Sequence, residues 1–282
     1  MKLNTILTAT LALCLSLTAN AQLNNPNGLV FDSSGNLWVA NSGANQVLKL
    51  NPTTGAVINT ITAGLSSPTR LTFALGELYV TNLGANNVTV YNQKTRSLVR
   101  TITSSAISRP LALAVDAYGD VYIGDNSANN VIALNIANGL VETLTQDNSG
   151  FPFTAPGALA IRGRNIYAAF GPGSGENAVI SYNVGEFLTN DPAEIYVYTS
   201  STNTGPTGIA FDPSGNVYIS DFYSDTWVKY SPTGTLLLTV SDGVGQPEGI
   251  ALDASKNVYV SNSSLNNITV YNSSGALIKT LD

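Results

Sequence analysis

Along most of the chain, apolar residues come in runs of three to five that alternate with polar ones, and the runs are separated by Gly, Pro, Asp, Asn and Ser. One segment shows the unit in full: Ile209-Ala210-Phe211, Val217-Tyr218-Ile219, Trp227-Val228-Lys229-Tyr230 and Leu236-Leu237-Leu238-Thr239. A period of two with breaks every few residues predicts short β-strands and excludes amphipathic helices. The first break is Asp-x-x-Gly, where the aspartate can cap the turn and the glycine accepts a positive φ; the last is Pro232-Thr233-Gly234.

The unit recurs six times. Aligned on a proline, the copies open at Pro26 (PNGLVFDSSGNLWVAN), Pro68 (PTRLTFALGELYVTN), Pro110 (PLALAVDAYGDVYIGD), Pro156 (PGALAIRGRNIYAAF), Pro206 (PTGIAFDPSGNVYISD) and Pro247 (PEGIALDASKNVYVSN), at intervals of 42, 42, 46, 50 and 41 residues. A four-stranded sheet of this size cannot hide both faces alone, so each must lean on the next copy. Four strands per 40 to 50 residues predicts an all-β, six-bladed β-propeller of four-stranded antiparallel blades. The expected blades cover approximately 26–67, 68–109, 110–155, 156–205, 206–246 and 247–282, within a single domain spanning 22–282. Because the first copy starts on a first strand and the last ends on a fourth, the ring should close by packing of blade six on blade one, without strand exchange.

The consensus P-x-G-[IL]-A-[FV]-D-x-x-G-N-[LV]-Y-V-[AS]-[DN] resembles the NHL-repeat family of six-bladed β-propellers, across essentially the whole chain after its first residues. That resemblance implies a fold more firmly than a function, since the family includes scaffolds, binders and enzymes. The aromatic in the middle of each second strand (Trp38, Tyr79, Tyr122, Tyr167, Tyr218, Tyr259) recurs in every copy, so packing between blades is its expected role. The recurring Asp32, Asp116, Asp212 and Asp253 are expected to cap turns.

The first residues are of another kind. Met1 to Ala21 has a cationic start at Lys2, an apolar stretch from Leu3 to Leu17 and an Ala19-Asn20-Ala21 ending, the form of a secretory signal peptide cut after Ala21. Removing it leaves 11 basic and 18 acidic residues and no cysteine, because Cys14 is the only one. The expectation is a secreted or periplasmic monomer with no transmembrane segment and no nucleic-acid partner, since phosphates demand concentrated Lys and Arg.

Departures from the consensus are where an individual function can reside. The entry to each first strand and the loop between strands two and three open on one face, here called upper. Copies one, two, three and six keep nine residues from the strand-two aromatic to the first apolar residue of strand three. Copy four takes twelve (Tyr167 to Val179), copy five is read as taking ten (Tyr218 to Val228), and the lead into copy four is extended over 146–153. These departures carry Phe151, Phe153, Phe170, Phe222, Tyr223 and Trp227, with Asp225 among them. An exposed aromatic cluster with a few acids is suited to a protein, peptide or glycan partner on the upper face around blades three to five. The extended connection 183–194, with Glu186, Asp191 and Glu194, should lie on the opposite face.

The chain contains no histidine, which removes Ser-His-Asp and Cys-His catalysis and imidazole-built zinc sites. Histidine-dependent propeller lyases are therefore poor guides, and a non-catalytic binding or scaffold module without cofactor is the leading expectation. The alternative comes from a further resemblance: gluconolactonase-like propellers are similar in fold and hold a divalent cation such as Ca2+ in the channel with carboxylate and Asn oxygens, which implies a cation-dependent lactonase or esterase. Its candidate ligands are Glu248, the only acid directly after a blade-opening proline, with Asp125 and Asp221 at the ends of second strands.

Overall fold

The computed structural model describes residues 22–145, 155–170, 178–183, 195–199 and 205–282. The leader Met1 to Ala21, the lead 146–153 with Phe151 and Phe153, and 184–194 lie outside the described residues. The strands pair into six four-stranded antiparallel sheets, each continuous in sequence. Sheet 1 comprises Pro26–Phe31, Leu37–Asn41, Gln46–Leu50 and Val57–Ile61, and the first strands of sheets 2 to 6 start at Pro68, Pro110, Pro156, Pro206 and Pro247. Each first strand lies beside the first strand of the next sheet, and that of sheet 6 lies beside that of sheet 1. The fold is an all-β propeller with its first strands around an axial channel.

The core is distributed between sheets. Tyr259 of sheet 6 meets Phe31 of sheet 1 edge-on with ring centroids 5.0 Å apart, Trp38 of sheet 1 meets Phe73 of sheet 2 at 5.6 Å, and Tyr167 of sheet 4 meets Phe211 of sheet 5 at 4.6 Å. At these three seams the strand-two aromatic of one sheet packs on a phenylalanine at or next to the end of a neighbour's first strand, and truncating such a ring costs about 3–5 kcal/mol. The first and last sheets are further tied by polar contacts. Ser261 Oγ donates to the Asn27 carbonyl, Asn25 N to Asn266 Oδ1 at 2.7 Å, and Lys279 Nζ to the carbonyls of Pro52 and Thr53 at 2.6 and 3.0 Å. At this seam a side chain on Gly249 would place its Cβ 2.6 Å from the Asn27 carbonyl oxygen, so only glycine lets the two inner strands approach.

The turn aspartates act as caps. Asp32 accepts from Ser34 N at 3.0 Å and Asn36 N at 2.9 Å, and Asp253 from Ser255 N and Asn257 N, both at 2.8 Å. The reading of a longer loop in copy five is corrected by register. Asp221 pairs with Thr226 as Asn41 pairs with Gln46, five residues on in both cases. Trp227 is therefore the first apolar residue of a third strand, equivalent to Val47, and not part of an insertion.

Candidate functional site

One side chain spans the upper end of the channel. The third residue of the first strands is Gly28, Arg70, Ala112, Ala158, Gly208 and Gly249, so five small residues leave axial room for one long one. The Arg70 guanidinium fills it. Its Nη1 donates to Asn27 Oδ1 and to the Thr69 carbonyl at 3.2 Å, and its Nη2 to the carbonyls of Thr207 at 2.7 Å and Gly157 at 3.4 Å. The same Nη2 stands 3.2 Å from Glu248 Oε2. A residue of sheet 2 thereby contacts sheets 1, 4, 5 and 6. The two charged side chains are only 11% and 18% exposed. Burial pushes the Glu248 carboxyl upward and Arg70 pulls it back. A pair desolvated to this degree tolerates loss of neither partner, since the survivor would be left charged and buried.

Below Arg70 the channel holds a cavity of about 440 Å³, lined among others by Val30, Thr72, Phe73, Ala114, Ile161 and Ile209. The sequence signal for Arg70 is its place: a charged residue where every other copy has glycine or alanine. Reasoning from acids and aromatics passes over it.

The three proposed cation ligands are otherwise engaged. Glu248 is paired with Arg70. Asp125 is fully buried, with Oδ2 accepting from Ser108 N at 2.6 Å and Arg109 N at 2.7 Å, and Oδ1 from Ser108 Oγ, Ser127 N and Ala128 N at 2.9–3.1 Å. Burial alone would raise its pKa, but these donors hold it below the usual carboxylate value. Asp221, also fully buried, accepts from Tyr223 N at 3.2 Å and Ser224 N at 3.3 Å. Among the described residues no three His, Cys, Asp or Glu side chains gather to hold a metal ion. Among the described residues these three acids are therefore engaged elsewhere and do not come together around a channel cation.

Two of the proposed contact aromatics are core residues. Trp227 is fully buried between sheets 5 and 6, with its ring 5.4 Å from that of Tyr271, because its place in the third strand points it at the neighbouring sheet. Phe170 is 3% exposed and packs with Ala112, Val131 and Leu159, occupying the strand-two end where other copies have Asn or Asp. What remains at the upper rim is Phe222 and Tyr223, in edge-on contact at 5.2 Å. Phe222 N donates to the Gly205 carbonyl, the Tyr223 ring covers Gly205, and Tyr223 is 68% exposed. Asp225, exposed beside them, accepts from Gln246 N at 2.6 Å and so links sheet 5 to the lead into sheet 6.

Residues 12–84 match the description of the SMP-30/gluconolactonase/LRE-like region. Comparison with curated proteins found no match. Among solved structures, virginiamycin B lyase from Staphylococcus aureus is similar at 15% identity and a TM-score of 0.65, over 93% of this chain and 86% of the lyase. A streptogramin B lyase gives 15% identity and 0.66 over 94% and 85% of the two chains. Hydrazine synthase of Kuenenia stuttgartiensis gives 15% and 0.66 over 93% and 99%. At such identities these likenesses speak for a shared propeller fold, common to proteins of unrelated chemistry.

Proposed function

We propose that the protein is a non-catalytic, six-bladed propeller of NHL type, exported by cleavage after Ala21. It acts as a monomeric binding or scaffold module through the upper rim around Phe222, Tyr223 and Asp225. The observation that carries this reading is the Arg70–Glu248 pair: Glu248, the acid at the channel mouth and the leading candidate ligand, is engaged by an arginine that bridges four other sheets. The exposed Tyr223 ring, seated on Phe222 and Gly205, supplies the rigid aromatic anchor that partner surfaces use. A histidine-to-alanine variant of virginiamycin B lyase is catalytically inactive, and this chain has no histidine.

The test compares the native chain with Y223A and F222A on arrays of glycans and peptides. Ligands retained by the native protein should be lost from Y223A while its stability to heat falls by no more than about 1 kcal/mol, because the ring is 68% exposed although it packs on Phe222 and Gly205. Equal retention by both would sink the assignment. A second reading, a cation-dependent lactonase, is favoured by the match over residues 12–84. Calorimetric titration with calcium, manganese and zinc separates the two: no uptake at micromolar concentrations is expected, and tight binding lost in E248Q would reverse the choice.

A further inference from the structure

The segment leading into each first strand repeats as a strap. Three residues before the opening proline, sheets 1, 2, 3 and 6 carry Leu23, Leu65, Ile107 and Val244, and each side chain packs into the apolar cluster between its own sheet and the one before it. Two residues before the proline a backbone N–H is held by the side chain that ends strand two. Asn24 N donates to Asn41 Oδ1 at 2.7 Å, Ser66 N to Asn82 Oδ1 at 3.2 Å, Ser108 N to Asp125 Oδ2 at 2.6 Å and Gly245 N to Asn262 Oδ1 at 3.1 Å.

In sheets 2, 3 and 6 the strap runs back without a break into the preceding sheet. In sheet 1 the cleavage proposed above would leave a single residue, Gln22, ahead of Leu23. Leu23 is only 6% exposed among Leu29, Leu37, Tyr259 and Ile268, so the seam that closes the ring leans on the second residue of the exported chain. Loss of that side chain would open a cavity between sheets 6 and 1.

The residue at that end departs from the other copies. Four positions before the proline, sheets 2, 3 and 6 have Gly64, Ala106 and Gly243, where sheet 1 has a long amide. Gln22 is exposed and borders an open cavity of about 640 Å³ that Gln46, Val57, Thr60 and Asn266 also line. Its carbonyl accepts from Asn41 Nδ2 at 3.2 Å, and among the described residues no hydrogen bond restrains its side-chain amide. A glutamine that stands first in a chain can bring its α-amine onto its own side-chain carbonyl carbon through an unstrained lactam ring.

Resting on that cleavage, we infer that Gln22 is a modification site, closed in the exported chain to pyroglutamate. The α-amine attacks Cδ, the N–Cδ bond forms, the Cδ–Nε2 bond breaks, and the side-chain nitrogen leaves as ammonia with the proton that the amine gives up. No oxidant or cofactor is needed. The reacting form is the neutral amine, well populated at and above about pH 8. The new ring contains N, Cα, Cβ, Cγ and Cδ but not the carbonyl, so the contact from Asn41 is kept. Closure removes the terminal charge and denies aminopeptidases the free amine they require, so Leu23 stays locked in the seam.

The experiment is mass spectrometry of the N-terminal peptide of the exported chain after incubation at about pH 8. A peptide that begins at position 22 and is lighter than the glutamine form by one ammonia is expected, resistant to stepwise degradation until pyroglutamyl peptidase is added. The same start with the full glutamine mass would overturn the inference and leave the cleavage standing. A different first residue would overturn the cleavage and the inference with it. Q22S cannot cyclise, so aminopeptidase should trim it through Leu23 and lower its unfolding temperature by about 5 °C, while the native chain keeps its mass and its unfolding temperature. L23S should lose a similar amount without the peptidase, which ties the loss to the seam. Trimming of the native chain and Q22S alike would overturn the protective role.

Discussion

Sheets 1 and 3 are built on the same register and carry opposite electrostatics. In sheet 1 the strand-two aromatic Trp38 stands opposite Lys49, and in sheet 3 Tyr122 stands opposite Ala133, which in turn faces Glu142. Asp32 accepts from Trp38 Nε1 at 3.0 Å and from Lys49 Nζ at 2.9 Å. Burial would raise that carboxyl, but these donors and Asn36 outweigh it and hold the pKa at about 2. In sheet 3 the equivalent Asp116 accepts from Tyr118 N and Asp120 N at 2.9 Å, with Tyr122 Oη at 3.4 Å. No cation takes part in those contacts, and Asp120 stands where sheets 1, 5 and 6 have Asn36, Asn216 and Asn257, whose amides donate to the cap. Burial, then Asp116, pushes the Asp120 carboxyl up. One turn is thus a satisfied ion pair and the other a compressed pair of like charges, so identical repeats of backbone need not contribute equally to stability.

The broadest break of this comparison is D32A against D116A. The first removes a cap of two backbone N–H groups, the partner of a buried indole N–H and the counter-ion of Lys49, and should cost about 3 kcal/mol. The second removes a similar cap but relieves Asp120, and should cost about 1 kcal/mol. Urea unfolding of both variants at neutral pH measures the difference; equal losses would show that the cations do not distinguish the sheets. Because the Asp32 pKa is depressed, its contribution is full above the ordinary carboxylate value near 4 and disappears as pH falls through about 2.

These differences are legible in the sequence to unequal degrees. Backbone chemistry repeats, so the six prolines mark the first residue of every inner strand, and Asp-x-x-Gly turns mark the ends of those in sheets 1, 3 and 5. Side-chain surroundings are set across sheets and are not periodic. Trp227 reads as a loop aromatic when its loop is counted to Val228; the tryptophan is itself the apolar residue that the other copies fill with valine or isoleucine. Phe170 reads as exposed because its loop is longer, although its own position is fixed by pairing with Ala178 at the strand end. Arg70 can be found by asking which copy breaks the small-residue position near the axis. Arg96 and Lys256 are equally visible as exceptions to glycine at turn positions that other copies fill with glycine at positive φ.

A narrower change sharpens the comparison from the side of sheet 3. D120N converts the repelling acid into the amide found in sheets 1, 5 and 6, and should stabilise by about 1.5 kcal/mol at pH 7. The sign follows from the raised pKa: the ionised form is penalised in the folded state, so the penalty is present at neutral pH and fades as pH falls toward the ordinary value near 4. Thermal unfolding of D120N and the native chain at both pH values tests this, with the gap expected to narrow on acidification. A gap that widens would mean the amide bond, not charge relief, supplies the gain.

The smallest expected effect comes from E142K. Sheets 2 and 6 place a small β-branched residue opposite the aromatic and a cation on the fourth strand, as Tyr79–Val90–Arg100 and Tyr259–Val270–Lys279. In sheet 2 Arg100 reaches Tyr79 Oη at 3.0 Å and Glu77 at 2.7 Å. Glu142 holds that position in sheet 3, and its charge adds to the rise of the Tyr122 phenol, behind burial, Asp116 and Asp120. The site is half-exposed, and a lysine there faces Asp116 and Asp120, so a gain of about 0.5 kcal/mol is expected at low salt and less at high salt. The double variant E142K/D120N should gain less than the sum of the two single changes, because each relieves the same surplus of negative charge. Strict additivity in a double-mutant cycle would place the introduced ammonium group out of reach of the cap and return the contrast between the sheets to Asp120 alone.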